Sequence, residues 1–240
     1  MLKRVDSGEA DATVTFFAPQ LGKVTALAKG VRRPKSKRAA YLEPLCHSII
    51  LLGKGRNLDF VREAEGVNAF LPLREDLERL SCTLCIAELV DQFIPVSQEE
   101  RGLFQLILSA SNNLCHCLTP EAILHYFKLH LLGYVGYKPE LQHCVVCHCR
   151  LISHKISLSP RVGGITCLKC ATGQAPLVSV NALKVMRFLQ RGDVTSACRL
   201  KLNSRLSAEL RQVLRHYIEY LLERELRSNR FLDTLEEFNM

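Results

Sequence analysis

The pairs Cys144-x2-Cys147 and Cys167-x2-Cys170, separated by nineteen residues, constrain this chain more than any other feature of its sequence. Two residues between ligands let a tight turn aim both thiolates and nearby backbone N–H groups at one metal. Two such knuckles supply four sulfurs in a tetrahedron, the arrangement preferred by Zn2+. Four sulfurs leave no open coordination position, so the expected cofactor is a structural zinc that does not activate water. The competing reading is four buried structural thiols without a metal. A structural zinc contributes on the order of 10 kcal/mol to a subdomain too small to build its own core. Gly163-Gly164, inside the interval, suits the turn of a small hairpin. Cys149, His143, His148 and His154 are nearby rivals for a ligand position. Cys149 would require an irregular knuckle and is set aside. Cys82-x2-Cys85 lies within a helical pattern with no second pair in reach. With Cys46, Cys115, Cys117 and Cys198 it is expected to pack in the core rather than act as a redox pair.

Eleven cysteines would also suit a secreted disulfide scaffold. Against that, residues 1–11 are polar and lack the apolar segment of a signal peptide, and the cysteine count is odd. A reducing cytoplasm is the expected setting. No apolar run approaches the roughly eighteen residues that span a bilayer, so no membrane partner is expected. With 48% hydrophobic and 23% charged residues the chain can bury a core. Its net charge of +8 favours polyanionic partners.

That charge is uneven. Residues 1–65 hold 12 Lys/Arg against 7 Asp/Glu. Six of those cations, Lys29, Arg32, Arg33, Lys35, Lys37 and Arg38, fall within ten residues. Gly30 and Pro34 suit a loop there. A soluble loop or a targeting address is the bland reading. However, the run lies between strand patterns inside a basic module instead of on a tail, which favours contact with phosphate backbones without sequence preference. Phe16, Phe17, Tyr41 and Phe60 are the aromatic side chains available for base stacking. Most are expected in the core, and none is assigned that role.

The pattern around the run is one of short strands: Thr13–Phe17, Val24–Ala28, Ser48–Leu52 and Leu58–Ala64, separated by turn residues. So many short strands in so small a segment point to a barrel or sandwich. Beyond residue 68 apolar residues recur at threes and fours, as in Leu103, Leu106, Ile107, Ala110 and Leu114. Thr119-Pro120 reads as a capped helix start. Ser179 and Ser204 open two further helices, and the Arg/Glu-rich face of the last is expected to be solvated. These readings give domains 1–66 and 67–240, with the cysteine module at about 140–176. The sequence contains no HExxH, no zinc-deaminase H-x-E, no G-x-x-x-x-G-K-[ST] loop, no G-x-G-x-x-G and no carboxylate cluster. No catalytic residue is assigned, and the chain is expected not to be an enzyme.

These residues together resemble the RecO family of bacterial DNA-repair and recombination mediators. The resemblance runs from Leu2-Lys3-Arg4 and Gly8-Glu9-Ala10-Asp11 through Leu21-Gly22-Lys23 to the run Ala28–Ser36. It continues through Leu42-Glu43-Pro44, Gly55-Arg56-Asn57-Leu58 and Gly136–Leu141 into Cys144 and Cys147, then through Ser159-Pro160 and Gly163-Gly164 into Cys167 and Cys170. It implies an α+β chain: an N-terminal OB-fold β-barrel followed by an α-helical domain with an inserted four-cysteine zinc module. It also implies binding of single- and double-stranded DNA, annealing of complementary strands, and loading of RecA with RecR onto strands coated by single-strand binding protein. That coating protein's acidic C-terminal tail is an implied partner of the helical domain, and the implied location is the bacterial cytoplasm at the nucleoid. Members usually carry residues before Leu2, so either the start codon is misassigned or the barrel opens with a shortened first strand. His148 stands where glycine is common after the second cysteine, so an altered knuckle turn is expected. The reading of a different class is an interaction adaptor whose basic surface takes acidic peptides without acting on DNA strands.

Overall fold

The computed structural model describes residues 1–96, 100–151, 156–171 and 175–239. Alternating β-branched and aromatic residues give five N-terminal strands: β1 (Lys3–Ser7), β2 (Asp11–Ala18), β3 (Gly22–Ala28), β4 (His47–Gly53) and β5 (Asp59–Asn68). They form one sheet in the order β1-β2-β3-β5-β4, antiparallel except for β3 against β5. Four of the five lie where the sequence pattern places them. β1 does not show in that pattern, because its side chains are largely exposed and do not alternate. It is short, pairing only with residues 11–15 of β2 and leaving Phe16–Ala18 beyond its end. The Met1 carbonyl accepts from Leu45 N at 3.0 Å, and the Met1 ammonium donates to Cys46 O at 2.8 Å, so the first residue bridges to the start of β4. The inner faces gather Ala12, Val14, Phe16, Ala26, Ala28, Val31, Leu42 and Val61 into one buried cluster.

The helices are α1 (Pro72–Glu75), α2 (Leu77–Phe93), α3 (Arg101–Leu114), α4 (Pro120–Tyr134), α5 (Val180–Arg191), α6 (Val194–Arg199), α7 (Ser204–Leu222) and α8 (Arg227–Asn239). Asp76, Ser179, Asp193 and Asn203 cap α2, α5, α6 and α7 through their side chains. Thr119 precedes α4 with Pro120 in its first turn, but its hydroxyl makes no cap bond. Two compact units result: Met1–Ser111 with Thr234–Met240, and Asn112–Asp233. The change of residue pattern near 66 marks the end of the sheet, whereas α2 and most of α3 belong to the same compact unit as the strands. Within that unit Lys23 Nζ donates to the Asp91 carbonyl of α2 at 2.6 Å, and Arg74 of α1 donates to Pro44 O at 3.0 Å.

In the second unit α4 is buried nearly all round and packs against α5, α6 and α7. Between α4 and α5 lie β6 (Ile156–Ser159), β7 (Gly164–Cys167) and β8 (Leu177–Val178), a small antiparallel sheet in the order β7-β6-β8. Gly163, at φ +75°, makes the turn between β6 and β7. A Cβ on Gly164 would stand 2.5 Å from the Glu140 carbonyl oxygen, so that position admits only glycine. The Arg/Glu-rich face of α7 is not wholly solvated as its sequence suggests. Arg211 is buried and bonds the buried Glu121 of α4 through Nε at 2.9 Å and through Nη2, while Ser207 donates to the same carboxylate.

Candidate nucleic-acid interface and metal centre

The first knuckle is built by the backbone. Cys144 N donates to Cys149 O at 3.1 Å and His148 N donates to Cys144 O at 2.9 Å, wrapping the chain around the first pair. This turn requires a left-handed residue, and His148 occupies it at φ +56° where glycine would be unstrained. In the second knuckle Cys170 N and Ala171 N both donate to Cys167 O, at 3.0 and 2.9 Å. Val145 N to Ile165 O at 3.0 Å ties the first knuckle to β7, which carries the second.

The sulfurs of Cys144, Cys147, Cys149 and Cys167 all lie within 4.8 Å of one another. Cys147 and Cys167 Sγ are 3.8 Å apart. Zinc–sulfur bonds of about 2.3 Å in a tetrahedron place sulfurs about 3.8 Å apart, so the thiols fit such an ion. Cys149, set aside on spacing, is thus brought to the site. Cys170 is outside that mutually close group, but its N–H closes the second knuckle on the Cys167 carbonyl, and the neighbouring thiols of Cys147, Cys167 and Cys144 raise its pKa. Five cysteines therefore converge where spacing counts four, because the chain doubles back at His148 and returns Cys149 to the cluster. His154 lies outside the described residues.

Burial raises the Cys144 thiol, but backbone N–H donors from Cys147, Cys167 and Val146 outweigh it and bring its pKa down to about 6. The N–H of Cys170 does the same, in direction, for Cys167. Hydrogen bonding to Cys147, above all, pushes Cys149 up to about 12, and bonding to Cys147 and Cys167 pushes Cys170 up to about 12. Cys144 and Cys167, one from each knuckle, thus ionise more readily than a free thiol, as binding of a soft cation requires. Elsewhere Cys46, Cys82, Cys85 and Cys117 are buried as expected, while Cys115 and Cys198 are only half-buried.

The six cations at 29–38 lie on the loop following β3. Their geometry divides them. Arg38 donates through Nη1 to Val61 O at 2.7 Å and Arg62 O at 3.0 Å, and through Nη2 to Lys29 O at 2.8 Å. Arg32 donates to Gly8 O at 2.9 Å and pairs with Asp6 at 3.2 Å. Gly30 N donates to Asp11 Oδ1 at 2.7 Å, which fixes the loop's root. Lys29, Arg33, Lys35 and Lys37 are exposed, and among the described residues their side chains make no ion pair or hydrogen bond. Two cations hold the loop in shape and four project from it. Phe16 and Phe17 are buried, as expected, whereas Tyr41 is 40% exposed and Phe60 is half-buried.

Residues 1–70 match the family described as Recombination protein O N terminal, and residues 74–230 match Recombination protein O C terminal. The chain belongs to the RecO family. Relatives along its whole length include the DNA repair protein RecO of Dehalococcoides mccartyi, 35% identical over 100% of this chain and 95% of the relative. Those of Desulforamulus reducens, 35% identical over 100% and 94%, and Roseiflexus sp., 34% identical over 99% and 84%, are similar. The five-strand order seen here is the OB-fold of the RecO N-terminal domain, and the basic loop falls inside that domain's match. All five clustered cysteines fall inside the C-terminal match. Among the described residues no helix is long and apolar enough to cross a membrane.

Proposed function

We propose that this RecO-family protein acts in DNA repair and recombination by holding DNA strands on its barrel through phosphate contacts from Lys29, Arg33, Lys35 and Lys37. The observation that carries the reading is the division of the basic loop: Arg32 and Arg38 are committed to carbonyls and a carboxylate, while four exposed cations make no ion pair or hydrogen bond among the described residues. The loop backbone that carries them is fixed before binding, so less chain entropy is lost when they meet a polyanion. The contacts are to backbone, so both single- and double-stranded DNA are ligands, and complementary strands held together can anneal. The same reading places RecR, the acidic tail of single-strand binding protein, and through them RecA, as partners in the bacterial cytoplasm at the nucleoid. The metal is zinc, held by Cys144, Cys147, Cys167 and Cys170, and it folds the module rather than touching DNA. The adaptor reading would assign the same projecting cations to acidic peptides.

Titrating the full chain with a bare single-stranded oligonucleotide, and separately with an acidic peptide, tests the proposal. Binding of the oligonucleotide that weakens linearly with log salt is the expected result. Peptide binding with no oligonucleotide affinity at moderate salt would replace strand handling by the adaptor.

A further inference from the structure

Phe60 stands at the root of the basic loop and outside the barrel core. The buried cluster and the half-buried residues packed against it, among them Ile50, Leu52 and Ala64, do not include it. Its ring rests instead on Gly53 of β4: a Cβ on Gly53 would lie 2.5 Å from Phe60 Cζ and 2.7 Å from Arg62 Nε. Two cations attend the ring, Lys29 Nζ at 5.8 Å and Arg62 Cζ at 5.7 Å from its centroid. Both are exposed, and Phe60 itself is half-buried. Arg38 fixes this arrangement, because it bonds the carbonyls of Lys29, Val61 and Arg62, the residues on either side of the ring.

We propose that Phe60, flanked by Lys29 and Arg62, is a stacking platform for one unpaired base of a single strand whose phosphates run along the basic loop. This rests on the phosphate-binding reading above and adds an interaction with the base itself. A half-buried ring held on a glycine floor offers an aromatic surface at little conformational cost, and flanking cations draw in the adjoining phosphates. Every base has a π-face, so the stacking is indifferent to sequence, but a duplex keeps its bases stacked on each other and cannot use it. The platform would therefore add affinity for single strands over the shared phosphate term.

The chain has no tryptophan, so Phe60→Trp installs a single fluorophore at the platform. An oligo(dT) strand should quench its emission, whereas an abasic strand of equal length should bind without quenching. Phe60→Leu, which keeps apolar bulk, should weaken oligo(dT) binding by about tenfold and leave both abasic-strand binding and the salt slope unchanged. Equal quenching by both strands, or oligo(dT) affinity unaltered in Phe60→Leu, would overturn the platform while leaving phosphate binding intact. Failure of the unmodified chain to bind either strand would overturn both proposals. Should Phe60→Leu not fold, the quenching comparison in Phe60→Trp decides alone.

Discussion

Arg38 Nη2 donates to the carbonyl of Lys29 at 2.8 Å, so the last cation of the basic run is bonded to the first. Its other nitrogen bonds two carbonyls of β5, and the loop between is drawn into a fixed arch. Charge density that would repel itself in a free segment is held in place by an arginine that gives up its own donors to do so.

Replacing Arg38 with Ala is expected to lower stability by about 1 kcal/mol, since one part-buried and two exposed carbonyls lose a charged donor. The salt slope for single-strand binding should stay the same if the carbonyl bonds of this guanidinium keep it from phosphates, as proposed. Thermal unfolding and a salt titration on one preparation check both. A reduced slope with unchanged stability would make Arg38 a phosphate-binding residue.

Metal content after substitution identifies the ligand set. One ion per chain is expected, lost in Cys144→Ser, Cys147→Ser, Cys167→Ser and Cys170→Ser and retained in Cys149→Ser. Cys170 completes the second knuckle through its N–H bond to the Cys167 carbonyl, while Cys149 is exposed and follows the first pair at an irregular spacing. Chelation should unfold the module around β6 and β7 before it affects oligonucleotide binding, read by hydrogen exchange alongside a titration. Retention of metal in Cys170→Ser and loss in Cys149→Ser would reverse the assignment.

His148 holds a left-handed conformation that glycine adopts freely. His148→Gly is expected to stabilise the metal-loaded protein by about 1 kcal/mol, measured as slower metal loss to a competing chelator. Faster loss would show that the imidazole stabilises the knuckle by more than the strain costs.

His125 is fully buried between Lys128 and Arg211, and burial first, then those two cations, holds its pKa well below 6.5. The unfolded chain takes up a proton on this residue near 6.5 while the folded chain does not. The stability tied to neutral His125 is therefore complete above that pH and lost as pH falls below it. His125→Leu should flatten the acid side of the stability profile between pH 6.5 and 5. An unchanged profile would mean that the imidazole is protonated in place.

The cysteine spacing, the basic run and the passage from strands to helices were legible because each is a pattern of neighbours in sequence. What was hidden depends on distant residues. Arg211 reads as one more cation on a solvated helix face, and only Glu121, ninety positions earlier, makes it a buried partner. Cys149 falls outside a two-residue spacing yet returns to the cluster through the turn at His148. Phe60 looks like any aromatic of a short strand until Gly53 is seen beneath it. β1 carries no alternation because most of its side chains face solvent.

The salt dependence of single-strand binding, compared between the unmodified chain and one with Lys29, Arg33, Lys35 and Lys37 all replaced by Ala, bears most directly on the role given to the basic loop. Removing one phosphate-binding cation should reduce the slope of log affinity against log salt by roughly 0.7, so the four together should flatten it by nearly 3. Parallel lines for the two proteins, with only an offset or none, would contradict the account.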